Sequence, residues 1–161
     1  MSRRVWLIVA LLITAPAGGH AAGGNALPVP QAPAAAPKAE TPEARYNAGL
    51  ALASKRDWTG AEASYRDAIR LRHDFPEAWN ELGHALKNQK RWDESVKAYE
   101  EALRQRPQYP QALEYLGEAY VQMGKVTEAK ALLERLKPLD ARQAAMLEQV
   151  INGQGQGASN W

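Results

Sequence analysis

The chain has 161 residues, of which 45% are apolar and 24% charged, a length and balance suited to one modest globular domain. It contains no cysteine, which excludes disulfides, thiolate metal sites, cysteine nucleophiles and lipid attachment through a cysteine. The formal net charge is +2 without a polybasic block, which argues against nucleic acid or an anionic membrane surface as the main partner.

Residues 1–21 have the three parts of a secretory signal peptide. Arg3 and Arg4 precede an apolar run, residues 5–13, and small residues follow it. The run is shorter than the roughly 20 apolar residues that span a bilayer. We therefore expect cleavage after Ala21 or one residue later, export, and a periplasmic location if the source has two membranes. The alternative is an uncleaved signal that anchors the protein to the inner membrane, which would be its only membrane contact.

Two further segments carry too few large apolar side chains to fold. Residues 22–41 contain four prolines among many alanines and predict a disordered linker. Residues 152–161 are rich in glycine and end in Trp161, and they predict a flexible tail.

The region between them repeats with a period of 34 residues. The recurring sets are Gly49, Gly83 and Gly117; Ala48, Leu82 and Leu116; Ala61, Ser95 and Ala129; Tyr65, Tyr99 and Leu133; Ala68, Ala102 and Leu136; and Trp58 with Trp92. Such a period indicates stacked supersecondary units rather than one irregular core.

Each 34-residue unit is predicted to form two helices. The first begins near Pro42, Pro76 or Pro110, because proline suits the first helical turn, and it ends near Arg56, Lys90 or Gly124. Thr59, Asp93 and Thr127 are expected to cap the second helix, with Glu62 completing a capping box after Thr59. The recurring glycines predict close helix contact, filled by Tyr65, Tyr99 and Leu133.

A last helix is predicted at residues 140–151. Asp140 and Gln143 form a capping pair, and Ala144, Leu147 and Ile151 form an apolar stripe. This helix would cover the open end of the third unit, as a repeat array requires for solubility.

With these positions in phase, residues 42–143 resemble three tetratricopeptide repeats (TPRs). The match is fullest in residues 76–109, where Trp79, Leu82, Gly83, Leu86, Tyr99, Ala102 and Pro107 stand at the family's signature offsets. The departures are Arg45 in place of tryptophan, Ser95 in place of alanine, Leu133 in place of an aromatic residue, and His73 in place of proline.

The resemblance implies an all-α solenoid. It would consist of three helix-turn-helix units, residues 42–75, 76–109 and 110–143, with the helix at 140–151 as a cap overlapping the third unit. In the family, first-helix residues line a concave groove that contacts the ligand. Carried over by register, they are Glu43, Tyr46, Leu50, Ser54, Glu77, Asn80, His84, Lys87, Asn88, Glu114, Glu118 and Gln122.

Four glutamates against one lysine make this lining acidic. We therefore expect a basic or polar protein segment as the partner, with an apolar side chain meeting Tyr46 and Leu50. The lysine, arginine and asparagine pattern by which chaperone-binding members hold an acidic chain terminus is absent, since Asn80 and Lys87 stand alone.

No cofactor, metal or catalytic residue is predicted. Glu114 and Glu118 share a helix face but have no third ligand, which favours a solvated face. His84 has no serine or aspartate placed to form a triad. Binding of another protein is therefore favoured over catalysis, because repeats offer a shallow groove instead of a deep pocket. The alternative is a structural repeat protein whose uncapped first unit stacks on a second copy.

Overall fold

The computed structural model describes residues 40–157, and side chains to residue 153. This part of the chain contains helices and no strand. They are α1 Pro42–Ser54, α2 Trp58–Leu71, α3 Pro76–Asn88, α4 Trp92–Gln105, α5 Pro110–Gln122, α6 Val126–Leu136 and α7 Ala141–Gly157. The all-α prediction is confirmed. The predicted signal peptide, the linker before residue 40 and the tail after residue 157 lie outside the described residues.

The first helix of each pair begins at the proline that the sequence indicated. Pro42, Pro76 and Pro110 occupy the first turn of α1, α3 and α5. Thr41, assigned to the linker from sequence, caps α1 by accepting a hydrogen bond from the Ala44 amide at 3.1 Å.

The capping prediction for the second helices is wrong. Asp57 caps α2, accepting from the Gly60 amide at 3.0 Å, whereas α4 and α6 have no side-chain cap. Thr59, Asp93 and Thr127 lie one residue inside their helices. A capping residue stands immediately before its helix. These helices begin two residues earlier than that position requires, so the three residues lie inside them.

The turn inside each pair has a left-handed residue at the same place. Arg56, Lys90 and Gly124 have φ values of 62°, 61° and 75°. Two of the three are not glycine, although this conformation costs other residues roughly 1–2 kcal/mol. In every pair the next residue closes the turn, with its amide 2.8–3.0 Å from the carbonyl oxygen five residues earlier. The turn geometry is therefore held even where the residue is unfavourable.

The recurring glycines allow the two helices of a pair to meet. A Cβ atom at Gly83 would lie 2.6 Å from the Tyr99 ring, and Gly49 faces Tyr65 in the same way. Ser95 stands where the family has alanine, and it donates to the Gly83 carbonyl at 2.9 Å.

The third pair differs from the prediction. Gly117 faces Leu147 of α7, at 2.6 Å from a hypothetical Cβ atom, rather than Leu133. Leucine at position 133 has no ring to cover the glycine, and α7 supplies the missing side chain.

The stacking of the pairs defines an inner face. Among the described helices, the backbones of α1 and α3 and those of α3 and α5 approach each other closely, whereas the backbones of α2, α4 and α6 stay farther apart and α2 reaches α4 only through side chains such as the Arg66–Glu94 ion pair. Helices on the inside of a curved stack lie closest together. The first helices α1, α3 and α5 therefore form the concave side.

Two buried apolar clusters run through the stack. One belongs to the first two pairs and the other to the last two pairs and α7, and Trp79 packs against both. Glu62, predicted to complete a capping box, is instead buried and accepts from Arg91 and Gln89, each at 2.7 Å. This ion pair joins the first pair to the second.

Helix α7 closes the C-terminal end. Asp140 accepts from the Arg142 and Gln143 amides at 3.0 Å, and Ala144, Leu147 and Ile151 are buried. The helix continues to Gly157, six residues beyond the predicted end, so residues 152–157 of the predicted flexible tail are helical instead. None of the helices in residues 40–157 has the length and apolar character needed to cross a membrane.

We predict that Gly83→Ala lowers the free energy of unfolding. Its Cβ atom would overlap the Tyr99 ring, and overpacking of this kind costs about 1–3 kcal/mol. Chemical denaturation measures the effect. The matched control is Gly153→Ala in α7, which meets no atom within 4 Å and is expected to leave stability unchanged or slightly higher. Equal stability of the two variants would contradict the close-contact explanation.

Candidate functional site

The inner groove, defined as the surface formed by α1, α3 and α5, is the candidate site. All twelve residues assigned to it from sequence lie on these three helices. Their surroundings differ, however, and the differences decide which of them can meet a ligand.

Two of the predicted glutamates are already neutralised. Glu43 pairs with Arg72, and one repeat later Glu77 pairs with Arg106, so the same contact recurs between residues 29 apart. Burial by itself would raise the pKa of Glu77, but the hydrogen bond from Arg106, a backbone hydrogen bond and the charges of Arg106 and Arg72 together lower it. These two carboxylates support the stack and add little free negative charge to the groove.

The same arginines also cover aromatic rings. The guanidinium carbon of Arg72 lies 3.9 Å from the centre of the Phe75 ring, and that of Arg106 lies 4.8 Å from the centre of the Tyr109 ring. Through these contacts, the turn that connects two successive helix pairs packs against the first of the two.

Another of the predicted glutamates, Glu118, pairs with the one predicted lysine. Lys87 of α3 contacts Glu118 of α5, and its ammonium lies 4.6 Å from the centre of the Tyr115 ring. His84 stacks on Tyr115 with ring centres 5.1 Å apart, and it meets Trp58 edge to face with ring centres 5.6 Å apart. Burial, aided by Lys87, lowers the pKa of His84, so the imidazole is neutral at pH 7.

Asn80 and Glu114 are more buried than the sequence indicated. Together with Tyr46 they occupy the same register in α3, α5 and α1. Asn80 is fully buried, and Glu114 is only 4% exposed. Burial, together with the charges of Glu118 and Asp140, raises the pKa of Glu114 despite the opposing effect of Lys87.

Glu81 is the groove residue that sequence reasoning missed. Its side chain is 15% exposed and accepts a hydrogen bond from Asn80 Nδ2 at 3.1 Å. Among the described residues no lysine or arginine pairs with it, and its nearest basic group is His84 Nδ1 at 4.0 Å. Burial raises the pKa of Glu81. A signal was available, because position 81 is one repeat before Tyr115, an aromatic residue of the groove.

The charge of this carboxylate acts on several tyrosines. Burial and the charge of Glu81 raise the pKa of Tyr46 to about 12, and the same two causes raise the pKa of Tyr65 and Tyr109. The phenols therefore stay neutral at every physiological pH. The Tyr46 ring also packs on Phe75, with centres 5.1 Å apart.

The remaining predicted residues lie at the ends and edge of the groove. Ser54 donates to the Ala51 carbonyl at 2.8 Å, and Asn88 donates to the His84 carbonyl at 2.9 Å, so both are turned to their own helices. Leu50 is 38% exposed, and Gln122 is exposed.

Next to Gln122 a cleft of about 450 Å3 opens between α3, α5 and α7. It is lined by Lys87, Asn88, Lys90, Trp92, Glu118, Gln122 and Val150. Within residues 40–157 no cluster of histidine, aspartate and glutamate is arranged to hold a metal ion.

Sequence comparison identifies the family. The family model described as tetratricopeptide repeat matches residues 88–150, and one described as TPR repeat matches residues 49–90. The chain belongs to the tetratricopeptide repeat family. A search of curated protein sequences finds no match to the TPR chain.

Solved TPR structures share the fold. The TPR2B domain of yeast Sti1 in complex with pHsp70 is 18% identical, with a TM-score of 0.68, covering 72% of this chain and 97% of that domain. The Yersinia enterocolitica type III secretion chaperone SycD, in complex with a peptide of the translocator YopD, is 15% identical, with a TM-score of 0.66 and coverages of 73% and 94%. The Arabidopsis OM64 TPR domain is 17% identical, with a TM-score of 0.67 and coverages of 70% and 95%.

We predict that Glu81→Gln raises stability at neutral pH. The folded-state pKa of Glu81 lies above its ordinary value of 4.5, so the folded protein binds the proton more tightly than the unfolded chain. The wild type therefore gains stability as pH falls through the folded pKa. The advantage of the variant should be largest near pH 7 and should shrink as the solution is acidified.

Urea unfolding from pH 7 to pH 4 measures this difference. Glu128→Gln is the control, because Glu128 is exposed on α6. A Glu81→Gln variant that is less stable than the wild type at pH 7 would show that the charge is compensated in the folded protein.

Proposed function

We propose that the chain is a non-enzymatic interaction module that binds an extended segment of another protein in the inner groove. The observation that carries the proposal is the row of aromatic side chains along this face. Tyr46, His84 and Tyr115 are each only partly buried, and they follow one another across the three pairs. Tyrosine gives large contact area at low entropic cost, and it is enriched at the centres of binding surfaces.

A peptide suits this surface better than a small molecule does. The groove is open and crosses three helix pairs, whereas small-molecule sites are enclosed. The fold neighbours support the same class of ligand, since SycD was solved with a peptide of YopD. At 15% identity the likeness carries the fold to this chain but not the partner.

The groove favours a segment with a basic or polar part and an apolar anchor. Tyr46 and the exposed Leu50 offer the apolar contact at the α1 end. Negative charge comes from Glu81 and Glu114, since Glu43, Glu77 and Glu118 are paired with basic residues.

The proposal places the module outside the cytoplasm. Its support is the signal-like sequence of residues 1–21, followed by a proline-rich spacer that would hold the folded part away from a membrane. Export to the periplasm is the favoured form, and a signal anchor in the inner membrane is the alternative.

We predict that crosslinking in intact cells recovers a partner that depends on the groove. Tyr115→Ala should lose the partner, because the ring is the α5 member of the aromatic row and stacks on His84, the member before it. Tyr120→Ala is a matched control in the same helix, since Tyr120 faces Glu100 of α4 at 3.1 Å, away from the groove. The intact mass of the recovered bait also shows whether residues 1–21 are removed.

Either of two results would contradict this proposal. Equal recovery with both tyrosine variants, after circular dichroism has shown that both fold, would remove the groove from the interaction. A bait that keeps residues 1–21 and stays in the cytoplasm would remove the export part alone.

Self-association is the second candidate, and α1 carries the observation that favours it. Gly49 is the only buried residue of α1, and Leu50 is exposed there. A second copy stacked on this end would cover the helix as each following pair covers its predecessor. We predict that Leu50→Glu then lowers the concentration-dependent mass measured by sedimentation equilibrium. A monomeric wild type at all concentrations would eliminate the candidate.

A further inference from the structure

A charge without a partner lies in the middle of the inner groove. The other groove carboxylates on α3 and α1 have arginine partners, as Glu77 has Arg106, whereas Glu81 has none among the described residues. A mostly buried carboxylate that lacks a cation lowers stability. A ligand that supplies a cation to Glu81 would explain why the protein keeps a charged residue at this position.

Buried polar atoms beside Glu81 also lack partners. Asn80 donates to Glu81 with its Nδ2, while its Oδ1 is fully buried and accepts no hydrogen bond. The hydroxyl of Tyr65, which lies within the electrostatic reach of Glu81, is likewise without a partner in the described residues. Such atoms usually find a partner, because an unsatisfied buried polar group costs free energy.

The aromatic rings of the inner groove favour positive charge. The charge of Glu81 contributes to the raised pKa of Tyr46, Tyr109 and Tyr115, for each of which burial is the largest cause. Aromatic faces attract cations, and a carboxylate in the same groove adds to this attraction. The same arrangement repels an anion.

The basic side chains of the neighbourhood are already engaged. Lys87 contacts Glu118, and Arg106 contacts Glu77. Neither forms an ion pair with Glu81, and the nearest basic group, His84 Nδ1 at 4.0 Å, has a pKa lowered chiefly by burial, so it is a weak competitor for an incoming cation.

We infer that Glu81, oriented by the hydrogen bond from Asn80 Nδ2, forms a subsite for one lysine or arginine side chain of the bound segment, with the partly buried rings of Tyr46 and Tyr115 on the same groove face. This inference rests on the proposed function and specifies the chemistry of one contact in it. The ligand's ammonium or guanidinium would donate to the carboxylate of Glu81, whose side chain is 15% exposed, and its methylene groups would lie against aromatic rings of the groove.

The test uses amino-acid probes whose side chains match in length. Nα-acetyl-lysine methylamide, Nα-acetyl-arginine methylamide and the uncharged Nα-acetyl-norleucine methylamide are titrated into the purified protein and followed by NMR. We expect the two cationic probes to shift the signals of Tyr46, Asn80 and Tyr115, with affinities about tenfold or more above that of norleucine. We also expect them to lower the pKa of Glu81, read from its side-chain carboxyl carbon.

Glu81→Gln removes the charge without removing the hydrogen-bond acceptor for Asn80. It should abolish the preference for the cationic probes, whereas Glu128→Gln on the exposed face of α6 should retain it. The inference is overturned if norleucine binds as well as lysine, if neither cationic probe binds, or if Glu81→Gln binds them as the wild type does.

Failure of this inference is distinguishable from failure of the proposed function. A captured partner that is lost with Tyr115→Ala but retained by Glu81→Gln would leave the groove as the binding surface and remove the subsite.

Discussion

The contact of a glycine in the first helix with a tyrosine ring in the second sets the geometry of this protein. At Gly49 and Gly83 the absent side chain lets Tyr65 and Tyr99 lie flush against the neighbouring helix. Because the separation within each pair is fixed there, the next pair can stack in the same orientation, and the first helices face one common side. The groove therefore depends on a contact that lies behind it.

The third pair shows what happens when half of this contact is lost. Leu133 replaces the tyrosine, and Leu147 of α7 fills the space over Gly117. The cap therefore does more than cover an apolar end, since it completes the packing of the last pair. It also brings Val150 to the cleft beside Lys87 and Glu118, so the same substitution shapes one end of the groove.

The sequence predicts more of the fold than of the candidate site. The sequence alone predicts the 34-residue period, the prolines that begin the first helices and the apolar stripe of the capping helix. Each of these features follows from local chemistry. The sequence alone does not predict that the groove glutamates are paired. Glu43 and Glu77 contact arginines 29 residues later in the chain, and nothing in the pattern of their own helices indicates those contacts. Glu81 was missed for a simpler reason, since the register was applied to position 80 and not to the next residue.

The three repeats also separate scaffold from site by comparison with one another. The position where the two helices of a pair meet keeps glycine in all three repeats, as Gly49, Gly83 and Gly117. Inner-face positions change character from pair to pair, since Tyr46, Asn80 and Glu114 share one register and Leu50, His84 and Glu118 share another. A stack that needed these positions only for support would gain from repeating the best residue. Their variation, together with the mostly buried Glu81 that no lysine or arginine pairs with among the described residues, would suit the asymmetric peptide that we propose as the ligand.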